Sequence, residues 1–267
     1  MKKTLFSLSG LIILLSSISV QAITFIPSFG PHGEGGQRHG QNFQIGTDGK
    51  VFELDAYLNI AGEDLNGSAF GTSAQFSLDP LPAGLDFSFN PRLSADSKDL
   101  TLRYTFVNKT GADIENITFL SFLDVDIGIS GLSDYATTNG NLAPGENFEV
   151  DSPTSIPPTF PPIFDNLLSG TLTGTNAFPS SSQTGDVSMA LSFLQAELPE
   201  NKSLIIDIMI SEATGSIGGF SLTQHDTVSP TTVTYSGAVV TTSVPEASSF
   251  LLAGIGLLTL MGYRRRM

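Results

Sequence analysis

Cysteine and tryptophan are absent from this 267-residue chain, and basic residues are scarce. The lack of cysteine excludes disulfide bonds and any lipid anchor attached through a cysteine. Because there is no tryptophan and there are only five tyrosines, the chain is poorly equipped for stacking against sugars, although sugar binding through tyrosine or phenylalanine is not excluded. Acidic residues outnumber basic ones by 26 to 12, and the net charge is −14 at pH 7. Such a surface repels phosphates, so neither nucleic acid nor anionic lipid is expected as a partner.

Residues 1–22 have the layout of a secretory signal peptide. Lys2 and Lys3 give a positive start, and an uncharged, mostly apolar stretch follows over residues 5–20. Ala22 and the residue two before it are small, as signal peptidase requires at the two positions that it reads. We therefore predict a cleavable N-terminal signal helix that signal peptidase removes after Ala22.

The C-terminal segment, residues 243–267, has a different character. Its apolar run over residues 248–262 is fifteen residues long. As a helix it would span about 22 Å at ~1.5 Å per residue, less than the ~30 Å hydrocarbon core of a bilayer. The arginine cluster that follows, which resists translocation, consists of Arg264, Arg265 and Arg266. We predict a single transmembrane helix over residues 248–263 with a cytoplasmic C-terminus, and these properties alone leave open whether the anchor is permanent or temporary.

A short motif precedes this helix and consists of Val244, Pro245 and Glu246. Together with the Leu/Gly-rich helix and the terminal arginines, it resembles the PEP-CTERM sorting signal of Gram-negative bacteria, with Ala247 in place of the second proline. The resemblance implies an exported protein that is held in the inner membrane until the protease exosortase removes the tail. It also implies delivery to the cell surface or to the extracellular polysaccharide matrix. This tail type is also called the ice-binding protein C-terminal domain, a name that implies no ice binding by the rest of the chain.

The body between the two ends, residues 23–242, shows the period-two alternation of β-strands. Seven basic and 25 acidic residues lie in it, so its net charge is −18, which suits an exported protein that must stay soluble. Polar turns with glycine, proline or asparagine separate the alternating segments. We predict one all-β domain, an antiparallel β-sandwich. The predicted strands cover residues 52–60, 70–78, 85–89, 100–106, 117–125, 187–193, 204–210 and 231–242.

Two local features refine this fold prediction. Residues 100–127 resemble an immunoglobulin-like hairpin of bacterial surface proteins, which implies an immunoglobulin-like sandwich. The proline-rich stretch at residues 153–162 is excluded as a central strand, because proline donates no ladder hydrogen bond. It is either a long loop or a domain linker, and we favour a loop because too few strands flank it for two sandwiches.

Asp124 and Asp126 form the sharpest polar feature of the body. On a strand they point to the same face, roughly 7 Å apart at ~3.3 Å per residue. Two carboxylates this close favour either a cation or open water between them. A calcium site completed by Asp134 is one interpretation, although glycine and isoleucine occupy positions where an EF-hand loop needs a ligand and a glycine. The alternative interpretation is a solvated strand end.

These observations favour an exported, non-enzymatic protein of the surface or matrix, with signal peptidase and exosortase as processing partners and extracellular polysaccharide as the associated material. No catalytic residue and no cofactor is predicted, with calcium as the exception just described. Two alternatives remain open at this point. One is a calcium-dependent adhesive or glycan-binding module, and the other is a carbohydrate-active hydrolase that uses the Asp124 and Asp126 carboxyls as acid and base.

Overall fold

The computed structural model describes residues 22–25, 27–31, 37–61, 81–128, 131–153, 163–212 and 214–243. Several sequence predictions lie outside the described residues: the signal helix before Ala22, the strand at residues 70–78, the Val244, Pro245 and Glu246 motif, the helix at residues 248–263 and the cluster Arg264, Arg265 and Arg266. Most of the stretch 153–162 also lies outside them. Among the described residues, no helix has the length and hydropathy needed to cross a bilayer.

The described part of the chain is built almost entirely of antiparallel strands. In chain order these are β1 (Pro27–Pro31), β2 (Gln37–Ile45), β3 (Gly49–Ile60), β4 (Leu85–Leu93), β5 (Asp99–Asn108), β6 (Ile114–Ile127), β7 (Asp134–Gly140), β8 (Glu146–Asp151), helix α1 (Ile163–Ser169), β9 (Ser188–Leu198), β10 (Lys202–Ser211), β11 (Phe220–Asp226) and β12 (Thr232–Ser243). The all-β prediction with antiparallel pairing is confirmed.

These strands form two six-stranded sheets. Sheet 1 has the order β1-β2-β3-β6-β9-β8, and sheet 2 has the order β4-β5-β10-β12-β11-β7. One buried apolar cluster takes side chains from both sheets. Within it the ring of Phe119 on β6 lies 4.7 Å, centroid to centroid, from the ring of Tyr104 on β5. The two sheets therefore share a core between their facing sides, while the immunoglobulin-like assignment stays a prediction.

The outer face of sheet 1 is also covered. Side chains of β3, β6 and β9 on this face form a second buried cluster with α1, in which Ile163 and Leu167 are buried. The period-two alternation of residues 52–60 predicts one solvent-facing side for β3, and this is wrong for Asp55 and Tyr57, which are both 0% exposed. Helix α1 itself was not predicted, because seven residues are too few to display a helical period.

Helix α1 is fixed to sheet 1 by a buried carboxylate. The Nδ2 amide of Asn166 donates to both oxygens of Glu149 on β8, at 2.8 and 3.0 Å, and the backbone N–H of Thr173 donates to Glu149 at 3.0 Å. Burial raises the pKa of Glu149, and these hydrogen bonds oppose the shift. The covering layer is thus held by polar as well as apolar contacts.

Candidate functional site

A row of polar side chains crosses the outer face of sheet 1. In the strand register Glu53 on β3 lies opposite Asp124 on β6, Asp124 lies opposite Ser188 on β9, and Ser188 lies opposite Asp151 on β8. Phe122, two residues before Asp124, belongs to the outer cluster, so Asp124 points to the same face. The antiparallel register therefore concentrates acidic groups next to the layer formed by α1.

Three of these carboxyl groups form a compact acidic cluster, namely Asp124, Asp126 and Asp186. One oxygen from each lies within 4.8 Å of the others. Asp124 and Asp126 share a face of β6 as the sequence predicts, and Asp186 enters from the segment just before β9. Ser188 on β9 lies opposite Asp124, and Asp186 precedes Ser188 by two residues. The start of β9 therefore places Asp186 close to Asp124 and Asp126.

The acidic cluster is electrostatically strained. Burial, reinforced by Asp186 and then by Asp126, raises the pKa of Asp124 to about 8. Burial also raises the pKa values of Asp126 and Asp186. The Oδ1 atom of Asp124 is buried and has no hydrogen-bond partner within the described part of the chain. Lys50, opposite Asp126, is the basic group whose charge lowers the pKa of Asp126, but its ammonium group also lies 4.0 Å above the ring of Phe52.

Such a cluster has the chemistry of a calcium site. Ca²⁺ binds carboxylate oxygens at ~2.3–2.6 Å, so two ligand oxygens on opposite sides of one ion lie about 5 Å apart. One oxygen from each of Asp124, Asp126 and Asp186 lies within 4.8 Å of the others, which matches this distance. A bound cation would also relieve the repulsion that raises their pKa values.

Asp134, the third ligand expected from the sequence, lies elsewhere. Its Oδ2 atom accepts hydrogen bonds from the backbone N–H of Ile127 at 3.0 Å and from Nε2 of Gln224 at 2.7 Å. Gln224 also donates to the carbonyl of Val125. Asp134 is 0% exposed and sits on β7 of sheet 2, so it ties that sheet to the end of β6 in sheet 1. The third carboxyl of the acidic cluster is therefore that of Asp186 and not that of the predicted Asp134.

The C-terminal end of the described chain leads directly into the sorting segment. Strand β12 lies between β10 and β11, and its last residue, Ser243, is paired with Lys202 on β10. The tail therefore follows from an internal strand of sheet 2. Ala22, the predicted cleavage position, lies at the start of the described residues, just before the buried Ile23.

Comparison with known families identifies this tail. Residues 243–266 match the family described as the PEP-CTERM protein-sorting motif. The motif supports an exported protein that exosortase sorts through a membrane-anchored intermediate to the cell surface. No curated protein and no solved structure matches the chain.

Proposed function

We propose that the mature chain is a non-enzymatic protein of the cell surface or the extracellular polysaccharide matrix. The sorting motif at residues 243–266 is the observation that carries this proposal. The motif begins at the last residue of β12, Ser243, and is therefore joined directly to the folded body. In this proposal the tail holds the body at the membrane until exosortase cuts. The body's net charge of −18 keeps the released protein soluble and apart from anionic lipid.

The crowding of three carboxyls in the acidic cluster favours cation binding over acid–base catalysis. A glycosidase acid–base pair needs two carboxyls whose pKa values are pushed apart, one protonated and one ionised. In this cluster the pKa values of Asp124, Asp126 and Asp186 are all shifted upward, and burial is the largest cause in each case. A bound cation would lower all three pKa values together, and we therefore favour a cation-binding role over an acid–base pair.

Processing of the tail tests the sorting proposal. In the source cell we expect the mature chain to end near residues 244–246 and to lie outside the cell. A Pro245→Ala/Glu246→Ala variant should keep its tail and stay in the membrane, because the motif that exosortase reads is lost. Mass spectrometry of the C-terminus in each cell fraction makes the measurement.

The matched control for this experiment is Ala247→Pro, which supplies the second proline of the motif and should be processed at least as fully as the wild type. If steady-state membranes contain wild-type chain with residues 264–267 intact, and none is found outside the cell, the tail is a permanent anchor and the proposal fails.

A calcium-dependent adhesive or glycan-binding module is the second candidate function. It is favoured by one observation, the approach of the Asp124, Asp126 and Asp186 oxygens to within 4.8 Å. Extracellular calcium modules bind with dissociation constants of about 10⁻⁴–10⁻³ M. In this role the ion would stiffen the junction of β6 and β9 beside α1, and it would be bound only after export, where calcium is abundant.

Thermal unfolding tests the calcium site. At 10 mM CaCl2, about 10 to 100 times such a dissociation constant, linkage predicts about 1.4–2.7 kcal/mol of stabilisation and a rise in Tm of about 3–10 °C over EDTA. Asp186→Asn should abolish the rise. Glu115→Gln, an exposed change on β6, the strand that carries Asp124 and Asp126, is the control and should retain the rise. A wild-type Tm that is equal in calcium and EDTA removes this candidate.

A further inference from the structure

A groove on the outer face of sheet 2 is lined by two of the body's seven basic residues. The groove has a volume of about 440 Å³, within the ~300–1,000 Å³ typical of ligand sites. Two of the body's three arginines, Arg92 and Arg103, line it. In a domain with a net charge of −18, an arginine in this groove provides a local contact for an anion that the remaining surface would repel.

The two arginines differ in their partners. Arg103 on β5 donates from Nε and Nη2 to the two carboxylate oxygens of Asp207 on β10, both at 2.7 Å. Its charge is therefore compensated and its position fixed. Arg92 on β4 is exposed and has no ion-pair partner among the described residues. The guanidinium of Arg92 is the group that is left to bind an external anion.

Cross-strand neighbours supply further polar groups to the groove. Arg92 lies opposite Thr101, and Asn90 lies opposite Arg103. Asp99 accepts a hydrogen bond from the hydroxyl of Ser211 at 2.6 Å and also lines the groove, where its carboxylate can accept from a ligand hydroxyl. The site thus combines one cation with amide, hydroxyl and carboxylate groups.

Two apolar side chains complete the lining. Met209 on β10 lies opposite Thr101 and is 8% exposed, and Leu93 at the end of β4 is 37% exposed. They offer a surface for the C–H groups of a ligand. No aromatic side chain is among the groove's lining residues in the described part of the chain, so stacking contributes nothing to binding there.

We infer that this groove binds a uronate residue of an acidic polysaccharide. Arg92 pairs with the sugar carboxylate, a geometry that a planar guanidinium matches with two parallel hydrogen bonds. Asn90, Thr101 and Asp99 exchange hydrogen bonds with the ring hydroxyls, and Met209 and Leu93 contact the C–H face. This inference rests on the proposed association with extracellular polysaccharide and adds the chemistry of the sugar that is recognised.

Weak binding of each sugar is consistent with this role. The net negative charge of the body repels a polyanion at long range, and about 0.15 M salt screens that repulsion beyond ~8 Å while leaving a direct arginine–carboxylate contact in place. In a matrix many chains contact one polymer, so weak sites act together.

Methyl NMR of the full chain in nonionic detergent tests the inference. The probe is a galacturonate trisaccharide, with maltotriose as the neutral counterpart, at 0.15 M NaCl. We expect the trisaccharide to shift the Met209 methyl resonance, assigned with Met209→Leu, and to leave that of Met189, which is 0% exposed, unchanged. Titration of the Met209 shift gives the dissociation constant.

Two matched variants decide the role of Arg92. Arg92→Gln should raise the dissociation constant about tenfold or more, the loss of a charge-assisted hydrogen-bond pair. Lys109→Gln removes the same charge from an exposed pair with Asp86 near the opposite end of β5 and should leave binding unchanged. Absence of binding, equal binding of maltotriose, unchanged affinity in Arg92→Gln or equal losses in both variants would each overturn the inference. None of these results alters where the chain is sorted, which the C-terminal processing experiment measures separately.

Discussion

Replacing Phe119 by alanine is expected to lower the free energy of unfolding by about 4 kcal/mol, the usual cost of removing a fully buried aromatic side chain. Phe119 is 0% exposed on β6 of sheet 1. Its ring lies 4.7 Å from that of Tyr104 and 6.2 Å from that of Phe106, both on β5 of sheet 2, and 6.5 Å from that of Phe193 on β9. The truncation would leave a cavity between the two sheets that rigid strands on both sides cannot close.

Urea unfolding followed by tyrosine fluorescence measures this loss. No tryptophan obscures the signal, and Tyr104 reports from beside the cavity. Leu132→Ala, at a side chain 65% exposed, is the control and should change stability by less than about 0.5 kcal/mol. A loss below about 1.5 kcal/mol for Phe119→Ala would show that the two sheets do not share a packed core at this position.

The strands that line this core were predictable because their pattern is local. Burial of one face imposes a period of two on the sequence, and the alternation at residues 100–106 and 204–210 corresponds to β5 and β10. The predicted strand at residues 117–125 is apolar without alternation, a pattern typical of a central strand that is buried on both faces. It lies in β6, between β3 and β9, with one face in the shared core and the other under α1.

Strand β7 has no pattern in the sequence that predicts it. Its residues include Asp134, Thr137, Thr138 and Asn139, a polar composition without alternating apolar side chains. It is extended because it pairs along its full length with β11. Pairing with a distant segment, rather than local preference, determines such a strand, and a single sequence carries little record of it.

The acidic cluster is only partly predictable for the same reason, because part of it depends on pairing between distant segments. Asp124 and Asp126 could be placed on one face from their spacing alone. Asp186 lies 60 residues beyond Asp126 in the chain, and its approach depends on the register in which Ser188 faces Asp124. Asp134 was the nearer acidic residue in sequence and was predicted in its place. The signal that could have identified Asp186 is its position two residues before Ser188, which continues the outward-facing series of β9.

The free energy of unfolding is expected to fall as the pH rises from about 4 to about 8. Burial raises the pKa of Asp134 to about 7 and that of Asp124 to about 8. In this range the folded state retains protons that the unfolded chain has released, so raising the pH favours unfolding. The stabilisation is fully present below about pH 4 and is lost as the pH passes the folded-state pKa values.

Asp134→Asn isolates one part of this dependence. The asparagine oxygen can still accept from Ile127 and Gln224, but the side chain no longer titrates. A folded-state pKa of about 7 in place of an unfolded value of about 3.9 corresponds to at most about 4 kcal/mol of stability, and local relaxation reduces this. Between pH 5 and pH 8 we therefore expect the free energy of unfolding of the variant to fall by about 2 kcal/mol less than that of the wild type. The free energies of unfolding of the variant and the wild type are compared by urea unfolding at each pH, in EDTA so that no metal is bound.

Asp165→Asn, an exposed change on α1, is the matched control and should follow the wild-type pH dependence. Parallel curves for the wild type and Asp134→Asn would contradict the prediction. They would mean that Asp134 is already ionised in the folded protein at pH 5. The tie between β7 and the end of β6 would then be a charge-assisted one, stabilised by the Ile127 N–H and the Gln224 amide strongly enough to offset the burial of the carboxylate.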